Sequence, residues 1–80
     1  MDGQKNEERG RQIRTFRQYL KLTQKEFGIR IGDQRGPFSK SCIANYEAGF
    51  RPGRRAEKRI LEEARKENYP LTLDDFDNYN

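Results

Sequence analysis

The stretch "SKSCIANYEAGF" (residues 39–50) is expected to present Lys40, Ser41 and Asn45 on one side of a helix. Their chemistry is hydrogen bonding to flat polar edges. Lysine donates to guanine O6 and N7, asparagine bonds adenine bidentately, and serine pairs with several base edges. Ile43 and Tyr46 fall on the opposite side, so one face of this helix is expected to read and the other to pack. Small residues in the first turn, Ser39 to Cys42, would let the axis approach a groove floor. The major groove of B-DNA, about 12 Å wide, admits one such helix.

Other chemistries are poorly supplied. The chain has no histidine, which removes His-based acid/base catalysis, Ser–His and Cys–His nucleophile pairs, and the zinc patterns that need histidine. A single cysteine, Cys42, excludes a Cys-only zinc site and an internal disulfide, and fits a reducing compartment. It reads as a small packing residue more than as a redox switch. No catalytic residue, cofactor, metal or small-molecule ligand is therefore expected, and an enzyme is disfavoured. Charge points the same way. Residues 1–69 carry all 17 basic groups and 10 acids, a net +7, whereas residues 70–80 add three aspartates. A basic body attracts a polyanion, of which nucleic acid is the usual one; surplus arginine on a solvated surface is the plain alternative.

Eighty residues allow one domain with one modest core. Only 31% of the chain is hydrophobic and 38% is charged, but the apolar residues recur at helical intervals. Nothing approaches the roughly 20 apolar residues of a membrane span. "MDGQKNEERG" has no apolar segment of a secretory signal, so a cytoplasmic location is expected, on the nucleoid when bound to DNA.

The elements follow from periodicity and caps. Residues 1–6 are polar and read as a flexible N-terminus, residues 7–76 as the domain, and residues 77–80 as an acidic end. Ile13, Phe16 and Leu20 put one apolar face on a first helix over 7–20, with Arg11, Arg14, Arg17 and Gln18 outside. Thr23 and Glu26 make a capping box for a second helix over 24–31, with Leu22 and Phe27 as its staple. Phe27 and Ile31 are its buried stripe, Gly28 marks a close helix approach, and Gly32 is expected to end it at positive φ. "GDQRGPF" is a breaker cluster. Ser39 or Ser41 then caps a third helix running to residue 48, which buries Ile43 and Tyr46. "RPGRR" is a turn, and a fourth helix over 55–67 carries Ile60, Leu61 and Ala64 inward. Pro70 stops it, and Thr72 opens a last short helix. The expected class is all-α, a compact bundle of about five short helices.

In that order the runs "IRTFRQYLKLTQKEFGIRIG" and "SCIANYEAGFRPG" resemble the lambda-repressor and Cro-like helix-turn-helix family, often called the Xre family. The likeness covers about residues 11 to 76. A glutamine opening helix two corresponds to Gln24, the small residue four later to Gly28, the turn glycine to Gly32 and the helix-three aliphatic to Ile43. "YEAGFRP" and "LTLDDF" resemble the family's later phrases. One departure stands out: Gly32 to Ile43 spans eleven positions where the family has about six, so about five residues are inserted in the turn.

The resemblance implies a DNA-binding domain whose base contacts fall on Lys40, Ser41 and Asn45, with Ser39 and Ala44 at the margin. It implies phosphate contacts from Gln24 and, after helix three, from Arg51, Arg54 and Arg55. Arg35, in the inserted loop, can also reach a phosphate. For each arginine a solvated surface charge is the alternative reading, and Ser41 can serve merely as a cap. The function implied is transcriptional regulation, as a repressor that occludes a promoter, acting as a homodimer on double-stranded DNA with half-sites about 34 Å apart. Leu71, Leu73, Phe76 and Tyr79 are candidates for the dimer contact or for closing the core. A protein-interaction module of the same fold, an antitoxin or a bridging factor, is the competing reading.

Overall fold

A computed structural model describes residues 6–71, and among these the chain forms four α-helices and no strand. Each helix starts where its caps dictate. Asn6 opens α1 (Glu7–Tyr19) by accepting the Arg9 N–H at 3.0 Å. Thr23 opens α2 (Gln24–Arg30) with the complete reciprocal box: Glu26 N–H to Thr23 Oγ1, and Thr23 N–H to Glu26 Oε1. Ser39 opens α3 (Lys40–Glu47), and Gly53 precedes α4 (Arg54–Lys66). The fifth helix expected from Thr72 lies outside the described residues, as do Leu73, Phe76 and Tyr79. Among the described residues no helix is long and apolar enough to cross a membrane.

The core is small and fully used. Ile13 and Phe16 of α1, Phe27 and Ile31 from α2 and its cap, Ile43 of α3 and Ile60 of α4 are completely buried. Burying such a side chain contributes about 1.5–3 kcal/mol. Phe16 and Phe27 meet edge to face at 5.9 Å, and Tyr69 closes over Phe16 at 4.9 Å after α4 has ended. Leu61 and Leu71 pack against this cluster half-buried, so Leu71 belongs to the core of the monomer.

Two local expectations need correction, and a third holds. Gly32 does not adopt positive φ; the glycines that do are Gly36 and Gly49. A Cβ at Gly32 would lie 2.8 Å from the Pro37 Cα, so close packing of the following loop excludes a side chain there. Gly28 does sit where α3 approaches: a Cβ there would collide with the Phe38 carbonyl at the entry of α3 and would lie 3.5 Å from the Ile43 side chain. The inner face of α3 includes Glu47, which is buried beside Ile43, while Tyr46 packs against the core only half-buried. Glu47 takes the inner place because basic and amide donors from α1 and α2 meet it there.

Candidate nucleic-acid interface

α3 packs on both α1 and α2 and is fastened at both ends. At its front, the Ser39 Oγ accepts the Cys42 N–H at 3.2 Å, so Ser39 is the cap and Ser41 is not. One residue earlier, the Phe38 N–H donates to the Gly28 carbonyl at 3.0 Å and fixes the entry of α3 against α2. At its rear, the Glu47 carboxylate receives Arg17 Nε at 2.5 Å and Nη2 at 3.1 Å, and Gln24 Nε2 at 3.2 Å. Arg17 Nη1 also donates to the Leu22 carbonyl at 2.9 Å. Three helices thus meet on one carboxylate. A buried charge is tolerated only when it is paired and hydrogen-bonded, and here both conditions hold. That is why Glu47 can be buried more deeply than Tyr46.

With Ile43 and Glu47 turned inward, Lys40, Ser41 and Asn45 are exposed along α3, and Ser39 is exposed at its tip. The four candidate base-contacting residues are thus accessible, but they do not form one edge. Ser41 and Asn45 share a side one turn apart, whereas Lys40, two turns before Glu47, is exposed at the first turn on the flank of the packed face; Ala44 is half-buried. Their side chains offer an ammonium, a hydroxyl and a carboxamide along successive turns of one short helix.

The five candidate phosphate contacts divide. Arg51 and Arg54 are exposed just beyond α3, Arg54 at the start of α4. Arg35 is exposed in the 31–39 connection. Gln24 instead directs its amide at Glu47 and is part of the clasp that orients α3. Arg55 is also engaged inside the fold. Its Nε and Nη2 bracket the Asp33 carboxylate at 2.7–2.9 Å, Nη2 also donates to the Gly36 carbonyl at 2.9 Å, and its guanidinium carbon lies 4.2 Å from the centre of the Phe38 ring. The Arg55 hydrogen bond, followed by that from the Arg35 N–H, lowers the Asp33 carboxyl to about 2.

A second set of ion pairs holds α4 to α2. The Arg59 guanidinium donates to the Ile31 carbonyl at 3.1 Å, and more distantly to those of Arg30 and Gly32. It thereby covers the carbonyls left open where α2 ends. Burial raises the pKa of the Glu63 carboxyl, but donors from Arg59, Lys66 and Arg30 outweigh it and leave the group below its ordinary range. Nothing in the sequence marks Arg17, Glu47, Arg59 or Glu63 as functional. Arg17 and Glu47, like Arg30 and Glu63, lie about thirty positions apart on different helices, a range that no spacing rule links. The i, i+4 pair Arg59–Glu63 is visible in the sequence but reads as an ordinary surface pair. Periodicity puts Arg17 on the wet side of α1, yet its side chain is only 15% exposed.

Among the described residues, no three His, Cys, Asp or Glu side chains gather where they could hold a metal ion. In comparisons with known proteins, no family model, no curated protein and no solved structure matches this chain.

Proposed function

We propose that this domain binds double-stranded DNA through the exposed edge of α3, in the manner of a lambda-repressor-like helix-turn-helix, and regulates transcription as a repressor. The observation that carries the reading is the division of α3. Ile43 and Glu47 anchor it, while Lys40, Ser41 and Asn45 are each exposed along it. A helix presented this way can enter a major groove, where lysine suits guanine and asparagine suits adenine. The basic surface beside it, including Arg51 and Arg54, suits the flanking phosphates. One such helix makes few base contacts, so the working form would be a homodimer on two half-sites.

Two substitutions test this. Lys40→Ala should cost about 1–3 kcal/mol on the preferred site and relax the choice at one base. Arg54→Ala should weaken all sequences alike and flatten the salt dependence by about one unit of slope. Both are read from equilibrium titrations on selected and scrambled duplexes. A second reading, a protein-interaction module of the same fold, draws on Ile29 and Phe50, large apolar residues that are 58% and 48% exposed. If both substitutions leave DNA binding unchanged, that reading takes precedence.

A further inference from the structure

The inserted segment between α2 and α3 is built too firmly for an idle insertion. Asp33 and Gly36 exchange backbone hydrogen bonds at 2.8 and 3.3 Å, closing a tight turn with Gln34 and Arg35 at its tip. Gly36 takes φ +114°, a conformation that side-chain-bearing residues rarely adopt. The Asp33 side chain accepts the Arg35 N–H at 2.9 Å, and Arg55 grips Asp33, the Gly36 carbonyl and the Phe38 ring at once. The far end of the loop is tied by the Phe38–Gly28 hydrogen bond. The result is an open groove between the turn and α4, lined by Asp33, Gln34, Arg35, Arg55, Lys58 and Arg59, with Glu62 at its edge.

The charges in this groove fall into two classes. Arg55 and Arg59 are neutralised within the fold by Asp33, Glu62 and Glu63. The Arg35 and Lys58 side chains are exposed and make no ion pair or hydrogen bond among the described residues. Two free cations stand on a frame whose own cations are already satisfied. We infer that the 33–36 turn and the first turns of α4 form a second phosphate-binding element, in which Arg35 and Lys58 contact the DNA backbone beside the groove entered by α3. In this element Arg55 is a positioning residue that holds the turn through Asp33. The inference rests on the DNA-binding reading. Arg35 and Lys58 line one groove, and the five residue steps from Arg35 to Lys40 keep that groove's turn within about 18 Å of the start of α3.

The test is the salt dependence of binding to a mixed-sequence duplex, followed by fluorescence anisotropy. Each phosphate no longer neutralised should flatten the slope of log K against log salt by about 0.9. Arg35→Ala/Lys58→Ala should therefore flatten it by about 1.8, so that raising salt from about 50 to about 200 mM weakens the wild type roughly 12-fold more than the variant. An unchanged slope in a variant that melts like the wild type overturns the second element and leaves the α3 reading standing. Failure of the wild type to bind any duplex overturns both. A further pair tests the positioning role. Asp33→Asn and Glu62→Gln each remove one negative charge from the groove, which by charge alone favours DNA. Glu62→Gln should bind as well as the wild type or tighter, whereas Asp33→Asn should bind severalfold more weakly because its turn is released. Equal strengthening by both would show that the pin has no such role.

Discussion

Glu47 is the residue on which the orientation of α3 turns. Its carboxylate is 5% exposed and takes three donors from two other helices, so removing it strands the Arg17 guanidinium in a largely dry site. Breaking a buried pair from one side costs about 3–5 kcal/mol, far more than the pair's net contribution. Glu47→Ala should lower stability by that amount in urea unfolding, and Arg17→Ala should cost a comparable amount. Asp33 behaves differently, because it lies near the surface. Its carboxyl titrates near 2 in the folded chain, against about 3.9 when unfolded. The native state therefore holds the proton less tightly, and the contribution of the Asp33–Arg55 pair is complete above about pH 4 and disappears as pH falls through about 2. The stability difference between the wild type and Asp33→Asn should narrow over that window, as read from urea midpoints.

At the level of elements, periodicity and capping locate the helices well. α2 begins where the Thr23/Glu26 box requires, and the apolar stripe of α1 is the buried one. What the sequence leaves unreadable is how the elements meet. Tyr46 does pack against the core, but apolar spacing cannot register that Glu47, a carboxylate whose partners lie on other helices, is buried beside it. Likewise Gly32 looks like a positive-φ stop, whereas α2 ends under the Arg59 guanidinium and Gly32 is small because Pro37 lies close. Gly28 is legible as a point of contact but not as the point where the chain enters α3. Gly28→Ala should be costly for that reason: its methyl group would collide with the Phe38 carbonyl, which is backbone and cannot turn aside. Overpacking of this kind costs about 1–3 kcal/mol. Because the displaced atoms lead directly into Ser39, the proposed function further predicts that a surviving Gly28→Ala protein loses affinity for DNA, measured by the same titration as Lys40→Ala.

As a whole molecule, the domain is a compact all-helical unit whose modest core is supplemented by long-range arginine–carboxylate pairs. Arg17–Glu47 joins α1 to α3, Arg30–Glu63 and Arg30–Glu67 join α2 to α4, and Arg55–Asp33 joins α4 to the loop. Several of the basic residues that suggest a polyanion partner are thus spent internally. The chain's charge overstates its free surface charge for this reason, and no composition count could separate the two. One consequence concerns the division of α3. Its fastenings lie at positions 38, 39, 43 and 47, and none of them involves the side chains at 40, 41 or 45. Replacing Lys40, Ser41 and Asn45 together should leave the thermal midpoint nearly unmoved, within about 0.5 kcal/mol per site. On the proposed reading, the helix would work like a type block locked in its frame, whose letters can be recut to spell a different target while the press stays intact.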